Sequence, residues 1–238
     1  MNEYFLGEDA ARFSVVSFAD DATTRVPWSY DETELYAGID QMRAGGFTSI
    51  SDGIARAREL FAAAGRAGAT KIMLLLSDGE QTVCEPGVTA CPQTAIDAAA
   101  LAKADGITLF AWGFGGVSRD TLEQMATDPR KAFFANDLAG LSAHLAVLQA
   151  VLCNESPPSP SPPPPSPLVP PPPPSPLMPP PPPSPLPPPP SPKSPCVRPI
   201  DFALVLDESG SMLGYMEGGN GSKAFAKELV RHTAIEPR

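Results

Sequence analysis

The chain has 238 residues, of which 32 are proline, and 26 of these prolines fall in the 42 residues between Asn154 and Pro195. That leaves 153 residues before the run and 43 after it, which excludes a single continuous globule, since only the first stretch can enclose a domain core. With 17 Lys+Arg against 27 Asp+Glu the formal charge is -10, there is no basic stripe for nucleic acid, and no stretch approaches the ~20 apolar residues of a membrane span.

Taken in chain order, residues 1–25 do not read as a secretory signal, because Asn2-Glu3-Tyr4 is not a basic leader and Phe5-Leu6 is too short an apolar core. Residues 12–18 are short, apolar and β-branched and predict a strand. Residues 24–29 predict a weaker strand, and Pro27 marks it as an edge. Leu35, Ile39 and Met42 have helical spacing up to Gly45-Gly46. Ser51-Asp52 opens a second helix carrying Ile54, Ala57 and Phe61. The continuous apolar run Ile72 to Leu76 predicts a strand buried on both faces, the habit of parallel sheets. A helix over 93–104 ends at Gly106, a buried strand covers Ile107 to Trp112, and a helix at about 118–127 precedes a short strand at 132–135. A last helix starts after Asp137 and runs to about Leu152. After the proline run, Ile200 to Leu206 predicts another buried strand, followed by a Gly/Ser-rich loop and a helix from about Ser222 to Thr233. The alternation predicts an α/β fold, a doubly wound, mostly parallel sheet with helices on both faces.

The proline run is built of Ser-Pro-Pro-Pro-Pro-type units. Proline fixes φ and removes a donor, so the expected state is a polyproline II spacer at about 3.1 Å per residue. A docking track for SH3- or WW-like domains is the other reading.

Three short pieces carry candidate chemistry: Asp207-Glu208-Ser209-Gly210-Ser211 after a buried strand, Gly45-Gly46-Phe47-Thr48-Ser49 before a helix, and Ser77-Asp78-Gly79-Glu80 after the most apolar strand. Loops that follow parallel strands gather at one edge, where ligands bind. An extended loop would point Asp207, Ser209 and Ser211 the same way. Two carboxylates and three hydroxyls are hard oxygen donors of the kind Mg²⁺ takes, with Mn²⁺ or Ca²⁺ as related choices. Met212 and Gly218 stand where a calcium EF-hand loop needs Gly and Glu. No Ser/Cys–His–acid set is visible, so no catalytic residues are assigned and the chain is read as a non-enzyme.

These pieces together resemble von Willebrand factor type A domains. Leu204 to Met212 is similar to that family's Asp-x-Ser-x-Ser signature, Gly46 to Leu60 to its Thr-bearing loop and helix, and Leu74 to Glu80 to its Asp-bearing strand end. The resemblance implies a metal-ion-dependent adhesion site. Ser209, Ser211 and Thr48 would touch the metal, Asp207 and Asp78 would bind directly or through water, and an Asp or Glu of a protein partner would take the open position. The implied function is metal-dependent adhesion or assembly; other repeats of the same type are further candidate partners. The alternative is an intracellular subunit of an ATP-driven complex such as a magnesium chelatase.

The order departs from the family's. Residues 1–153 resemble the domain without its first strand and helix, 154–195 are the spacer, and 196–238 supply that strand, the metal loop and that helix. Three fillings of the gap are expected alternatives: fold-back within the chain, entry of 196–238 into a second chain, or a slice of a longer tandem array.

The four cysteines extend the reading. Cys84 and Cys91 share one loop near Asp78, where a disulfide would add roughly 2.5 kcal/mol by loop entropy. In the resembled family a disulfide can tie the domain ends, and Cys153 and Cys196 hold such positions, so the implied second pair is Cys153–Cys196. Asn154-Glu155-Ser156 and Asn220-Gly221-Ser222 match the N-glycosylation pattern. The spacer also resembles those of hydroxyproline-rich wall glycoproteins of plants and green algae. The expected location is therefore an extracellular matrix or wall.

Overall fold

The computed structural model describes residues 6–8, 10–84, 90–142, 144, 148, 199–218 and 221–233. The spacer, Cys153, Cys196, Asn154, Asn220 and most of the helix expected between Ser142 and Leu152 lie outside the described residues.

Six strands form one sheet: β1 (Ala11–Phe18), β2 (Ala22–Ser29), β3 (Thr70–Ser77), β4 (Thr108–Phe114), β5 (Ala132–Ala135) and β6 (Ile200–Asp207). Their order is β2-β1-β6-β3-β4-β5. β2 runs antiparallel to β1 at one edge, and every other neighbour pair is parallel. The helices are α1 (Glu32–Asp40), α2 (Ile50–Ala64), α3 (Cys91–Ala104), α4 (Arg119–Met125), α5 (Leu138–Ser142) and α6 (Ser222–Thr233). This is a doubly wound α/β fold with an antiparallel edge strand.

The strand most distant in sequence, β6, is paired on both sides. Ala11 to Phe18 face Ile200 to Asp207 in register, and Thr70 to Leu76 face Ile200 to Leu206. All eight residues of β6 are buried. Their alternation builds two cores. Phe202, Leu204 and Leu206 join Phe13, Leu74, Leu35, Ile39 and Phe225 on the face of α1 and α6. Ala203 and Val205 join Phe18, Met73, Leu75, Ile54 and Leu122 on the face of α2 and α4. Helix α2 packs tightly on the sheet at Gly53, where an added Cβ would lie 2.7 Å from the Phe18 ring and 2.9 Å from Val205.

The carboxyl group of Asp201 is fully buried at the amino end of β6 and bonded by two arginines. Arg12 donates at 2.8 and 3.0 Å, and Arg66 donates from its backbone N–H at 2.7 Å and from Nε at 2.8 Å. Arg66 also bonds the carbonyls of Ala10 and Ile200 at 2.9 and 2.8 Å, so one side chain ties three segments.

Local boundaries have local causes. Asp31 caps α1, its side chain accepting from Thr33 N at 2.8 Å. The spacing of Leu35, Ile39 and Met42 suggested that α1 continues to Gly45, but it ends at Asp40. The N–H groups of Gln41 and Met42 bond three residues back, to Gly38 and Ile39, and this tightened turn closes the helix.

Candidate metal centre

The register of the sheet assembles the site. Leu76 faces Leu206, which sets Ser77 level with Asp207 at the carboxyl edge of the two central strands. Ser77 Oγ donates to Asp207 Oδ2 at 2.5 Å, and the backbone N–H of Ser209 donates to Asp207 Oδ1 at 2.8 Å. The Ser209 and Ser211 hydroxyls are 3.0 Å apart, and Ser211 Oγ donates to Asp78 Oδ1 at 2.7 Å. Asp207, Ser209, Ser211 and Asp78 thus form one connected run of oxygen atoms across two strand ends.

The route to this convergence differs from the extended loop read from the sequence. Gly210–Gly214 is a 3₁₀ helix, started by the Ser209 carbonyl accepting from Met212 N at 3.0 Å. Asp207 reaches over Ser209 by accepting its N–H, an Asx-type turn. The two serines meet through this turn and the tight helix, not through β-alternation.

Thr48 enters from the second loop. Gly210 N bonds Gly46 O at 3.0 Å, and Gly45 N bonds Glu208 O at 2.8 Å. Gly46 adopts φ +80° against Asp20, whose carboxylate oxygen an added Cβ would meet at 2.6 Å. Asp20 Oδ1 also accepts from Phe47 N at 2.9 Å. Thr48 is 5% exposed. Its N–H donates to Thr82 Oγ1 at 2.8 Å and its carbonyl accepts from Thr82 N at 2.9 Å. Among the described residues, no hydrogen bond links the Thr48 hydroxyl to the other four side chains. The third loop is held by Gly116 N, which bonds Asp78 O at 3.0 Å.

Both carboxyl groups are disfavoured as anions. Burial pushes Asp78 above its ordinary range, against the hydrogen bond from Ser211. Burial pushes Asp207 up to about 6; the hydrogen bonds of Ser209 and Ser77 oppose this, and the charge of Asp78 adds to it. Two such carboxylates beside the Ser77, Ser209 and Ser211 hydroxyls fit a hard divalent cation, which would supply the missing positive charge. Among the described residues, no group of three or more His, Cys, Asp or Glu side chains could hold a metal, so the donor set here is hydroxyl-rich and oxygen-only.

Sequence reasoning missed several supports. Glu208 is buried, its Oε1 accepting from Ser17 Oγ at 2.8 Å and Arg25 Nη2 at 2.5 Å, and its Oε2 from Arg43 N at 3.0 Å. It therefore faces away from Asp207 and fixes the loop leading to Thr48. Gln81, also buried, exchanges bonds with Ser51: Ser51 N to Oε1 at 3.1 Å and Nε2 to Ser51 Oγ at 2.8 Å. The position of Ser77, one residue before Asp78 at a strand end, was the available signal for its role. Cys84 and Cys91 are joined by a disulfide with Cα atoms 4.7 Å apart, two residues beyond Thr82. Phe47 and Leu213, 68% and 76% exposed, are apolar side chains next to Thr48 and close after Ser211.

Residues 1–145 match the von Willebrand factor type A domain. The match takes in more than half of the 238 residues, and the chain belongs to this family. No curated protein matches it. Among solved structures, the fold is similar to that of proximal thread matrix protein 1 from the mussel byssus. The TM-score is 0.50 and the identity 24%, over 64% of this chain and 37% of that one. A structure of the same mussel protein described as having a zinc-occupied MIDAS motif aligns with a TM-score of 0.49 and 25% identity, over the same shares. This chain thus spans 37% of the mussel protein's length. Among the described residues, no helix is long and apolar enough to cross a membrane.

Proposed function

We propose that the chain is a metal-dependent protein-binding module, not an enzyme, serving adhesion or assembly in an extracellular matrix or wall. The observation that carries this reading is the connected run of Asp207, Ser209, Ser211 and Asp78 oxygens at the sheet edge, with both carboxyl groups disfavoured as anions by burial. Mg²⁺ is the cation this donor set suits best, with Mn²⁺ or Ca²⁺ as substitutes. Ser209, Ser211 and Thr48 would hold it through hydroxyls, and Asp207 and Asp78 directly or through water. A bound cation supplies an electrophilic position for the carboxylate of a partner's Asp or Glu. The exposed Phe47 and Leu213 provide apolar contact beside that position.

The Cys84–Cys91 disulfide supports an oxidising location over an intracellular chelatase-like role. The Ser/Pro spacer, similar to those of plant and green-algal wall glycoproteins, supports the same setting. The test is a thermal melt of the full chain in Mg²⁺ and in EDTA. A ligand at 100 times its Kd raises stability by about 2.7 kcal/mol. Wild type should show that rise and Asp78→Ala should not. An equal response in both proteins overturns the metal assignment.

A further inference from the structure

β6 and α6 lie in one stretch, residues 199–233, that meets the rest of the fold through a dense set of its own contacts. β6 is laddered to β1 and β3 along its length. Asp201 is bonded by Arg12 and Arg66 at one end, and Glu208 by Arg25 and Ser17 at the other. α6 buries Phe225, Leu229 and Val230, and Lys227 Nζ pairs with Asp40 at 2.6 Å. The ladders and the Asp201, Glu208 and Lys227 pairs all reach residues far away in sequence.

The connection is the unusual part. Leu148 and Ile200 belong to the same core, so its two ends lie within one domain's width. Between them are 51 residues containing 27 prolines. A flexible chain of about 50 residues has an end-to-end distance of about 40 Å, which suits that span, whereas the 42-residue proline run as a semi-rigid polyproline II spacer would extend up to ~130 Å. A spacer of this composition, if it adopts polyproline II, would hold its ends apart and lower the effective concentration of a chain's own segment at its own sheet. A second copy's segment carries the identical contact set without that handicap.

We infer that residues 199–233 are a donor segment exchanged between copies, so that β6 of one chain completes the sheet between β1 and β3 of another. Asp207, Ser209 and Ser211 then come from one chain, and Asp78 and Thr48 from its partner. The exchange does not require a bound metal, so its failure leaves the metal reading standing, and the reverse also holds.

The test compares the full chain with a full chain whose residues 154–195 are replaced by a Gly/Ser sequence of equal length. Each is refolded in EDTA over a range of concentrations, and its mass is read by light scattering after size exclusion. Wild type should be dimeric or larger, and the Gly/Ser chain should remain monomeric to concentrations at least ~10-fold higher. A wild type that is monomeric throughout, or association that ignores the linker, overturns the inference. As an independent measurement, Val205→Asp spoils the donor and Leu75→Asp spoils the acceptor. Each alone should lose its cooperative melt, and co-refolding should recover one. No recovery on co-refolding also overturns it.

Discussion

Asp207 is fully buried, and its carboxyl is held up at about 6 against an ordinary 3.8, chiefly by burial. Without metal, the folded state therefore keeps a proton that the unfolded chain releases. Stability of the metal-free protein should fall as pH rises from about 4 to about 6, by roughly 3 kcal/mol. Asp207→Asn removes that term. The variant should be more stable than wild type at pH 7 in EDTA and nearly flat over the same window, while losing all response to Mg²⁺. Urea titrations from pH 4 to pH 7 read both effects. Because a cation must displace the proton, wild-type Mg²⁺ affinity should weaken by up to about tenfold per pH unit below 6, measurable by calorimetric titration.

Among the elements, β6 and α2 carry the sharpest expectations. Burial would raise the Asp201 carboxyl, but the hydrogen bonds from Arg12 and Arg66 bring it below its ordinary range. Asp201→Ala leaves two partly buried guanidinium groups without their shared anion and should cost about 3 kcal/mol, read as a lower urea midpoint. Gly53→Ala places a methyl group against Phe18 and Val205, and should cost ~1–3 kcal/mol by lifting α2 from the sheet. The extents of β3 and β6 were legible because runs such as Ile72 to Leu76 admit no polar face. Pro27 likewise declared β2 an edge. The Asp201 clasp was not legible, since it joins residues 12, 66 and 201. Nor was the 3₁₀ turn at Gly210–Gly214, because the alternation of Asp207, Ser209 and Ser211 is equally a β pattern. That the Asp207 and Asp78 loops share one sheet edge was readable from the parallel-strand pattern; which of their side chains meet was readable only through family resemblance.

For the molecule as a whole, the disulfide and the acidic balance set the expected response to conditions. Reducing Cys84–Cys91 opens a loop next to Thr82, whose backbone holds Thr48. Loop entropy predicts a loss of about 2.5 kcal/mol, and a weaker Mg²⁺ response should accompany it. Melts with and without reductant, each in Mg²⁺ and EDTA, separate these two effects. The net charge of -10 should make attachment of a partner with an acidic surface stronger with moderate added salt, as screening relieves the repulsion between like-charged surfaces.

The placement of β6 also has a mechanical meaning. Tension arriving at Pro199 pulls this strand along its own axis, from its amino end, against parallel ladders on both flanks. The bonds of both ladders are then loaded together in shear instead of opening one at a time. The Asp201 clasp, at the pulled end, bears the load first. If the strand slides, Asp207, Ser209 and Ser211 leave Asp78 in the same movement, so yielding under load and release of whatever the site grips become a single event.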